Sequence, residues 1–118
     1  MDYTVSDLDG IHALGEGWVA EEALAIAVFC AVRYQNDFAK AIRTAVNHKG
    51  DSDSTGAICG NILGAWLGKE AVEQAFDLTK LELVDMITEI AEDMYRAVED
   101  GVPEKGQDPE WDRKYRDR

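Results

Sequence analysis

The sequence predicts an all-α protein. Apolar residues recur at spacings of three and four over several segments, and no stretch alternates apolar and polar residues as a half-buried strand would. Nor is there a repeat of roughly 20–50 residues that would point to a solenoid or propeller. With 118 residues, 46% of them hydrophobic, the chain suffices for one domain or part of one, burying about two-thirds of its unfolded surface.

The elements follow in order. Residues 1–19 hold Gly10, Gly15 and Gly17 and no proline, which predicts an irregular segment with unusual dihedrals near Gly15 and Gly17. Residues 20–34 then turn to alanine, leucine and isoleucine. Glu21 and Glu22 suit a helix N-terminus and Arg33 its last turn. Leu24, Val28 and Val32 lie on one flank while Ile26 and Phe29 lie on another, so this helix is expected to be buried all round. Asn36 is expected to cap a second helix over residues 37–47, with Phe38, Ile42 and Ala45 on one stripe. After the polar break 48–55, a third helix runs to about Leu67, with Gly68 as its stop. Gly56, Gly60 and Gly64 recur within it at every fourth residue. Each costs a helix about 1 kcal/mol relative to alanine, so close approach of another backbone is expected on that face. Residues 70–76 form a short helix or turn. Thr79 and Glu82 have capping-box spacing ahead of a long amphipathic helix whose stripe is Leu81, Val84, Ile87, Ile90, Ala91, Met94 and Val98. That helix should end near Gly101. The expected organisation is therefore a helical part over residues 1–102 and a polar tail over 103–118. Only Trp111 and Tyr115 are placed to anchor that tail, in one docked turn.

Composition narrows the function classes. Twelve Lys and Arg against 24 Asp and Glu give a formal charge of −12, which leaves no footprint for nucleic acid. The acids are spread along the chain, as on solvated helix faces. The longest strongly apolar run, residues 23–32, is about half a bilayer span, so no membrane partner is expected. No secretory leader opens the sequence, and Cys30 and Cys59 both sit in apolar surroundings. Two reduced core thiols and a cytoplasmic setting are the expectation. An acidic chain that handles a phosphate-bearing ligand needs a basic pocket or a divalent cation to offset repulsion.

One constellation exceeds ordinary composition. Asp51, Asp53 and Ser54 place two carboxylates and a hydroxyl just before a glycine-rich helix. Such hard oxygen donors suit Mg²⁺, Ca²⁺ or Mn²⁺ rather than zinc. Asp and Ser are also favoured helix N-caps, so capping explains the same residues without a metal. The calcium-loop pattern of the EF-hand is not met.

Residues 50–58, GDSDSTGAI, continuing through Gly60-Asn61-Ile62-Leu63-Gly64, closely resemble the second metal motif of the ADP-ribosylglycohydrolase family. That family includes the dinitrogenase reductase-activating glycohydrolase. The run Gly15-Glu16-Gly17-Trp18 through Leu24 and the segment from Leu81 to Asp93 also resemble that family's C-terminal half, so the likeness spans roughly residues 10–95. The resemblance implies an all-α hydrolase with two Mg²⁺ ions (Mn²⁺ in some members). Its members cleave the glycosidic bond joining ADP-ribose to a protein side chain or small molecule. Carried over by position, Asp51, Asp53 and Ser54 are metal ligands. Ser54 stands where many members have threonine, keeping the oxygen. Gly15, Gly17 and Trp18 fall in a substrate-side segment, whose backbone N–H groups and aromatic face would meet the ligand; core packing is the alternative for Trp18.

The departure is one of extent. The family's first half carries another metal motif with a hydroxyl–Asp–Asp triplet, and Ser6-Asp7-Leu8-Asp9 does not have its spacing. The resemblance thus implies a C-terminal half, with too few donors for two octahedral ions and with doubtful activity on its own. A chain bearing the N-terminal half is one expected partner. The alternative is a truncated, non-catalytic module that oligomerises through its uncovered surface or binds ADP-ribose without cleaving it. Among lesser candidates, His48 reads as an exposed helix-end histidine and His12 has no partner at readable spacing. No histidine lies near either cysteine in the sequence to activate it.

Overall fold

The structure, a computed structural model, describes residues 4–117. Seven α-helices, and no strand, are found among the described residues. They divide into two compact units, Met1–Asp77 and Leu78–Arg118.

In the first unit, helix begins earlier than the glycines of the opening segment suggest. Ser6 caps α1 (Asp7–Leu14): its hydroxyl oxygen accepts from the Asp9 amide at 3.2 Å and donates to the Asp9 carboxylate at 2.6 Å. Gly10 is tolerated inside α1 because the Phe29 ring occupies the place of its absent side chain. Irregular backbone follows α1 over residues 15–19, where Gly15 and Gly17 take φ of +121° and +80°. Asp7 pairs with Arg33 Nε at 2.8 Å and accepts from the Tyr34 hydroxyl, tying α1 to the end of α2 (Ala20–Arg33).

α2 is buried on one face only. Ala23, Ile26, Ala27, Cys30 and Ala31 enter the core, while Leu24, Val28 and Val32 remain exposed. The expectation of burial all round is corrected: this apolar flank stays exposed.

Asp37, not Asn36, caps α3 (Phe38–Val46), its carboxylate accepting from the Lys40 amide at 3.0 Å. α4 (Ser52–Leu67) packs against both α2 and α3, burying Thr55, Gly56, Cys59 and Leu63. Small residues, among them Ala27, Ala31, Ala41 and Ala45, let the three helices approach around Ile26 and Leu63. The glycine row of α4 does not act as one. A Cβ at Gly56 would collide with Val46 and one at Gly60 would touch Ile42 at 3.5 Å, whereas one at Gly64 would meet nothing within 4 Å. Gly68, at φ +84°, ends α4 and leads into α5 (Lys69–Ala75).

In the second unit, a 3₁₀ turn over Leu78–Lys80 precedes α6 (Val84–Glu99). The capping box expected at Thr79 and Glu82 does not start this helix. Leu83 stands at its N-cap in the left-handed region, φ +59°, so the third helical position falls on Met86 rather than Glu82. The apolar stripe of α6 is largely exposed, reaching 82% at Val98. The polar tail forms a two-turn helix, α7 (Pro109–Tyr115), capped by Asp108 with Pro109 at its first position. It docks by polar contacts: the Tyr115 hydroxyl donates to Asp93 at 2.9 Å, and Lys114 bridges Asp93 and Glu89. The Tyr115 hydrogen bond, joined by Lys114, holds the Asp93 carboxyl below the usual carboxylate range. No helix among the described residues is long and apolar enough to cross a membrane.

Candidate metal centre

Two segments far apart in sequence meet at the N-terminus of α4. The Glu16 carbonyl accepts from the Asp51 amide at 2.8 Å, and a Cβ at Gly50 would overlap the Glu16 backbone. Only glycine permits so close a crossing. On the same turn, a Cβ at Gly17 would stand 3.2 Å from the Thr55 methyl group. Glu22 holds the turn from the other side, its Oε2 accepting from the Glu16 and Gly17 amides, each at 3.1 Å. Those two amides are therefore engaged within the protein.

The second segment is braced from below by Thr55, which is completely buried. The Thr55 hydroxyl donates to the Ala45 carbonyl at 2.6 Å and lies 2.9 Å from His48 Nε2. The Gly50 amide donates to His48 Nδ1 at 3.1 Å. Nδ1 therefore presents its lone pair, which assigns the hydrogen to Nε2 and makes it the donor to Thr55. A chain of bonds runs from the Gly50 amide through the imidazole to the end of α3. His48 is half-buried within it, not the exposed helix-end histidine expected from sequence.

Above this brace stand Asp51, Asp53 and Ser54. Asp51 occupies the N-cap position of α4. Its carboxyl lies alongside the Asp53 carboxyl and the Ser54 hydroxyl and amide, and these contacts hold it below the usual range. Asp51 and Ser54 are half-buried and Asp53 is exposed. Two carboxylates and a hydroxyl on one short segment fit a hard divalent cation in donor chemistry, and adjacent carboxylates gain from a cation placed between them. Three donors leave much of an octahedral shell to water or to another ligand. Among the described residues, no three or more His, Cys, Asp or Glu side chains gather as a metal-binding group; the third oxygen here is a serine's.

Trp18 stands just before α2 and is 71% exposed, its indole N–H donating to the Glu16 carboxylate at 3.2 Å. It is not a core residue. Gly15 and Gly17 thus lie in the turn that touches the Asp51 segment, and Trp18 projects from the same turn. Cys30 and Cys59 are free and buried, and burial pushes their pKa values up to about 12 and about 11. Neither is an activated nucleophile.

The bracing bonds made by Glu22, His48 and Thr55 are not readable from the sequence. Their side chains act on backbone groups, and side chain-to-backbone bonds leave no spacing rule to find. The one available signal was a histidine and a threonine flanking the Asp-x-Asp segment.

No curated protein and no solved structure matches the chain. The family model described as ADP-ribosylglycohydrolase matches residues 3–103, which takes in the Gly15–Trp18 turn, the Asp51–Ser54 segment and α6. The all-helical fold accords with that match, and the chain is a member of the ADP-ribosylglycohydrolase family.

Proposed function

We propose that the chain is the C-terminal segment of a magnesium-dependent ADP-ribosylglycohydrolase, which hydrolyses the glycosidic bond between ADP-ribose and a protein side chain or small molecule. Asp51, Asp53 and Ser54 would hold Mg²⁺ or Mn²⁺. When bound, such an ion supplies orientation of ribose hydroxyls and a bound water of lowered pKa. It also offsets repulsion between a diphosphate and a chain of charge −12. The observation that carries the proposal is that the Asp51 carboxyl, at the start of α4, gathers with the Asp53 carboxyl and the Ser54 hydroxyl. His48, Thr55 and the Glu16 carbonyl fix the segment that presents the three oxygens. Gly15 and Gly17 shape the adjoining turn, and Trp18 offers an exposed aromatic face on which a nucleobase stacks. Because three donors do not complete two octahedral sites, turnover requires further ligands from an N-terminal-half chain. A cytoplasmic setting accords with two free buried thiols.

The test is calorimetric titration of the full chain with Mn²⁺ and Mg²⁺, alongside Asp51→Asn. Changing a residue that merely hydrogen-bonds to a metal ligand alters metal affinity by about 10–100-fold, so loss of a ligating carboxylate should weaken binding by at least about 10-fold. A wild-type chain that binds neither ion, or a variant that binds as tightly, would refute the metal assignment. Hydrolysis of an ADP-ribosylated arginine or serine peptide, by the chain alone and mixed with an N-terminal half, then tests the reaction. Binding of ADP-ribose with no turnover in either mixture would instead identify a non-catalytic binding module, which the exposed Trp18 favours.

A further inference from the structure

Charge is unevenly placed in the first unit. Between Asp37 and Asp51 stand Lys40, Arg43 and Lys49 and no acid, in a chain that carries −12. Two of these bases converge. Lys40 and Arg43 share one face of α3 with Thr44 and with Asn47 just past its end, at spacings of three and four. Together with Asp7 of α1 they line a cavity of about 210 Å³. Drug-sized ligands occupy roughly 300–1,000 Å³, so this cavity suits a single small polar group.

The carboxylates nearby are already engaged. Asp7, the one acid in the lining, pairs with Arg33 Nε at 2.8 Å and accepts from the Tyr34 hydroxyl at 2.9 and 2.8 Å. Asp37 accepts from the Lys40 amide as the cap of α3. Among the described residues, neither Lys40 nor Arg43 forms an ion pair with a carboxylate. The Lys40 ammonium rests over the Tyr34 ring, 4.5 Å from its centre, a contact that orients a cation without cancelling its charge. Tyr34 thus occupies Asp7 with its hydroxyl and steadies Lys40 with its ring. Helix stability does not account for Lys40, which stands in the first turn of α3, where the macrodipole disfavours a cation. Only Arg43, in the last turn, gains from that dipole.

We infer that the cavity between α1 and α3 binds a phosphate dianion, free or as a monoester. The Arg43 fork pairs with two phosphate oxygens, Lys40 supplies a point charge for a third, and the Asn47 side-chain amide adds a neutral donor. Two uncancelled cations match the charge of about −2 that such a group carries near neutral pH, whereas a carboxylate brings one charge and two oxygens. The site does not rest on the proposed metal centre, and the two can fail separately.

Amide NMR titration of the full chain with inorganic phosphate, and separately with methyl phosphate, reads the site. The buffer is free of divalent cations, so phosphate carried by a metal at Asp51 does not enter the result. Saturable shifts in α3 with a Kd below about 1 mM are expected, and the tighter of the two probes identifies a free or an esterified group as the ligand. Hydrogen bonds to charged groups contribute about 1.5–3 kcal/mol, so Lys40→Gln and Arg43→Gln should each weaken binding at least about 10-fold. Both residues are exposed, and helical circular dichroism should stay as in the wild type. Lys49→Gln makes the same charge change outside the cavity and should leave the Kd within about 2-fold. No saturable shift up to about 10 mM of either probe overturns the site. So does acetate bound as tightly as phosphate, or a Lys49→Gln variant weakened as much as Lys40→Gln, which marks diffuse attraction to the surface.

Discussion

The two ends of α4 are built from similar residues and are held in opposite ways. At its N-terminus backbone and side chain are tied together: the Asp51 amide meets Glu16, the Gly50 amide meets His48, and Thr55 reaches back to Ala45. At its C-terminus, a Cβ added at Gly64 or Gly68 would meet nothing within 4 Å, and Trp66 stands 71% exposed over an open groove. Glycine is required at the first end because a backbone passes there, and is only permitted at the second. The lesson concerns function as much as packing. The Asp51 segment is braced by bonds to backbone, whereas the surface around Trp66 is left apolar and bare.

The largest effect is expected where the two segments cross. In Gly50→Ala the new methyl group overlaps the Glu16 backbone, which cannot rotate aside as a side chain would. The turn must open and lose the Asp51–Glu16 hydrogen bond. Overpacking of this kind costs about 3 kcal/mol, read as a fall in the urea midpoint of the helical signal. If the crossing is as tight as described, Mn²⁺ affinity should fall with it. A variant as stable as the wild type would show that the braced end is not braced.

A smaller and more discriminating effect comes from two alanines in one row. Gly56→Ala gains about 1 kcal/mol of helix propensity but drives a methyl group into Val46, whose branched side chain has little freedom to yield. Net destabilisation of about 1 kcal/mol is expected once the overpacking is set against the gain. Gly64→Ala gains the same propensity and meets no atom within 4 Å, so it should stabilise by about 0.5–1 kcal/mol. Opposite signs in thermal melts of the two variants, in residues of identical type and spacing, are the signature. Equal signs would mean that the row acts as a unit.

These outcomes also mark what was legible in the sequence. The all-α class, the central helices and the Gly68 stop follow from periodicity and from glycine, because one repeating pattern decides each of them. The Asp51–Ser54 segment was visible because its residue types carry the chemistry themselves. What supports it was not, since Glu22 and His48 work through amides whose positions exist only after folding. α1 was missed because Gly10 reads as a breaker until Phe29 is known to fill its space. α7 was missed as a helix because it docks through Asp93, Lys114 and Tyr115 rather than through an apolar stripe. The difference between the two ends of α4 was hidden too: spacing alone cannot say that Gly56 faces Val46 while Gly64 faces open space.

The smallest effect lies midway between those ends, where Cys59 is fully buried beside the α2 residues that share its core. Burial raises its pKa from 9.0 to about 11, and Cys30 rises from 9.0 to about 12, chiefly through burial with Cys59 adding to it. The folded-state values lie above the unfolded ones, so this contribution to stability is complete below pH 9 and is lost as pH climbs towards 11 and 12. By pH 9 the loss is a few tenths of a kcal/mol for each thiol, since half of an unfolded thiol population has then ionised. Urea midpoints at pH 7 and pH 9 should differ by that small amount in the wild type, and by less in Cys59→Ala once its lower baseline is subtracted. Alkylation by iodoacetamide at pH 8 should be slow in the folded chain and fast in urea. Rapid alkylation of Cys59 without urea would mean that the middle of α4 opens as readily as its C-terminal end, and that the firm half of the helix stops short of the core.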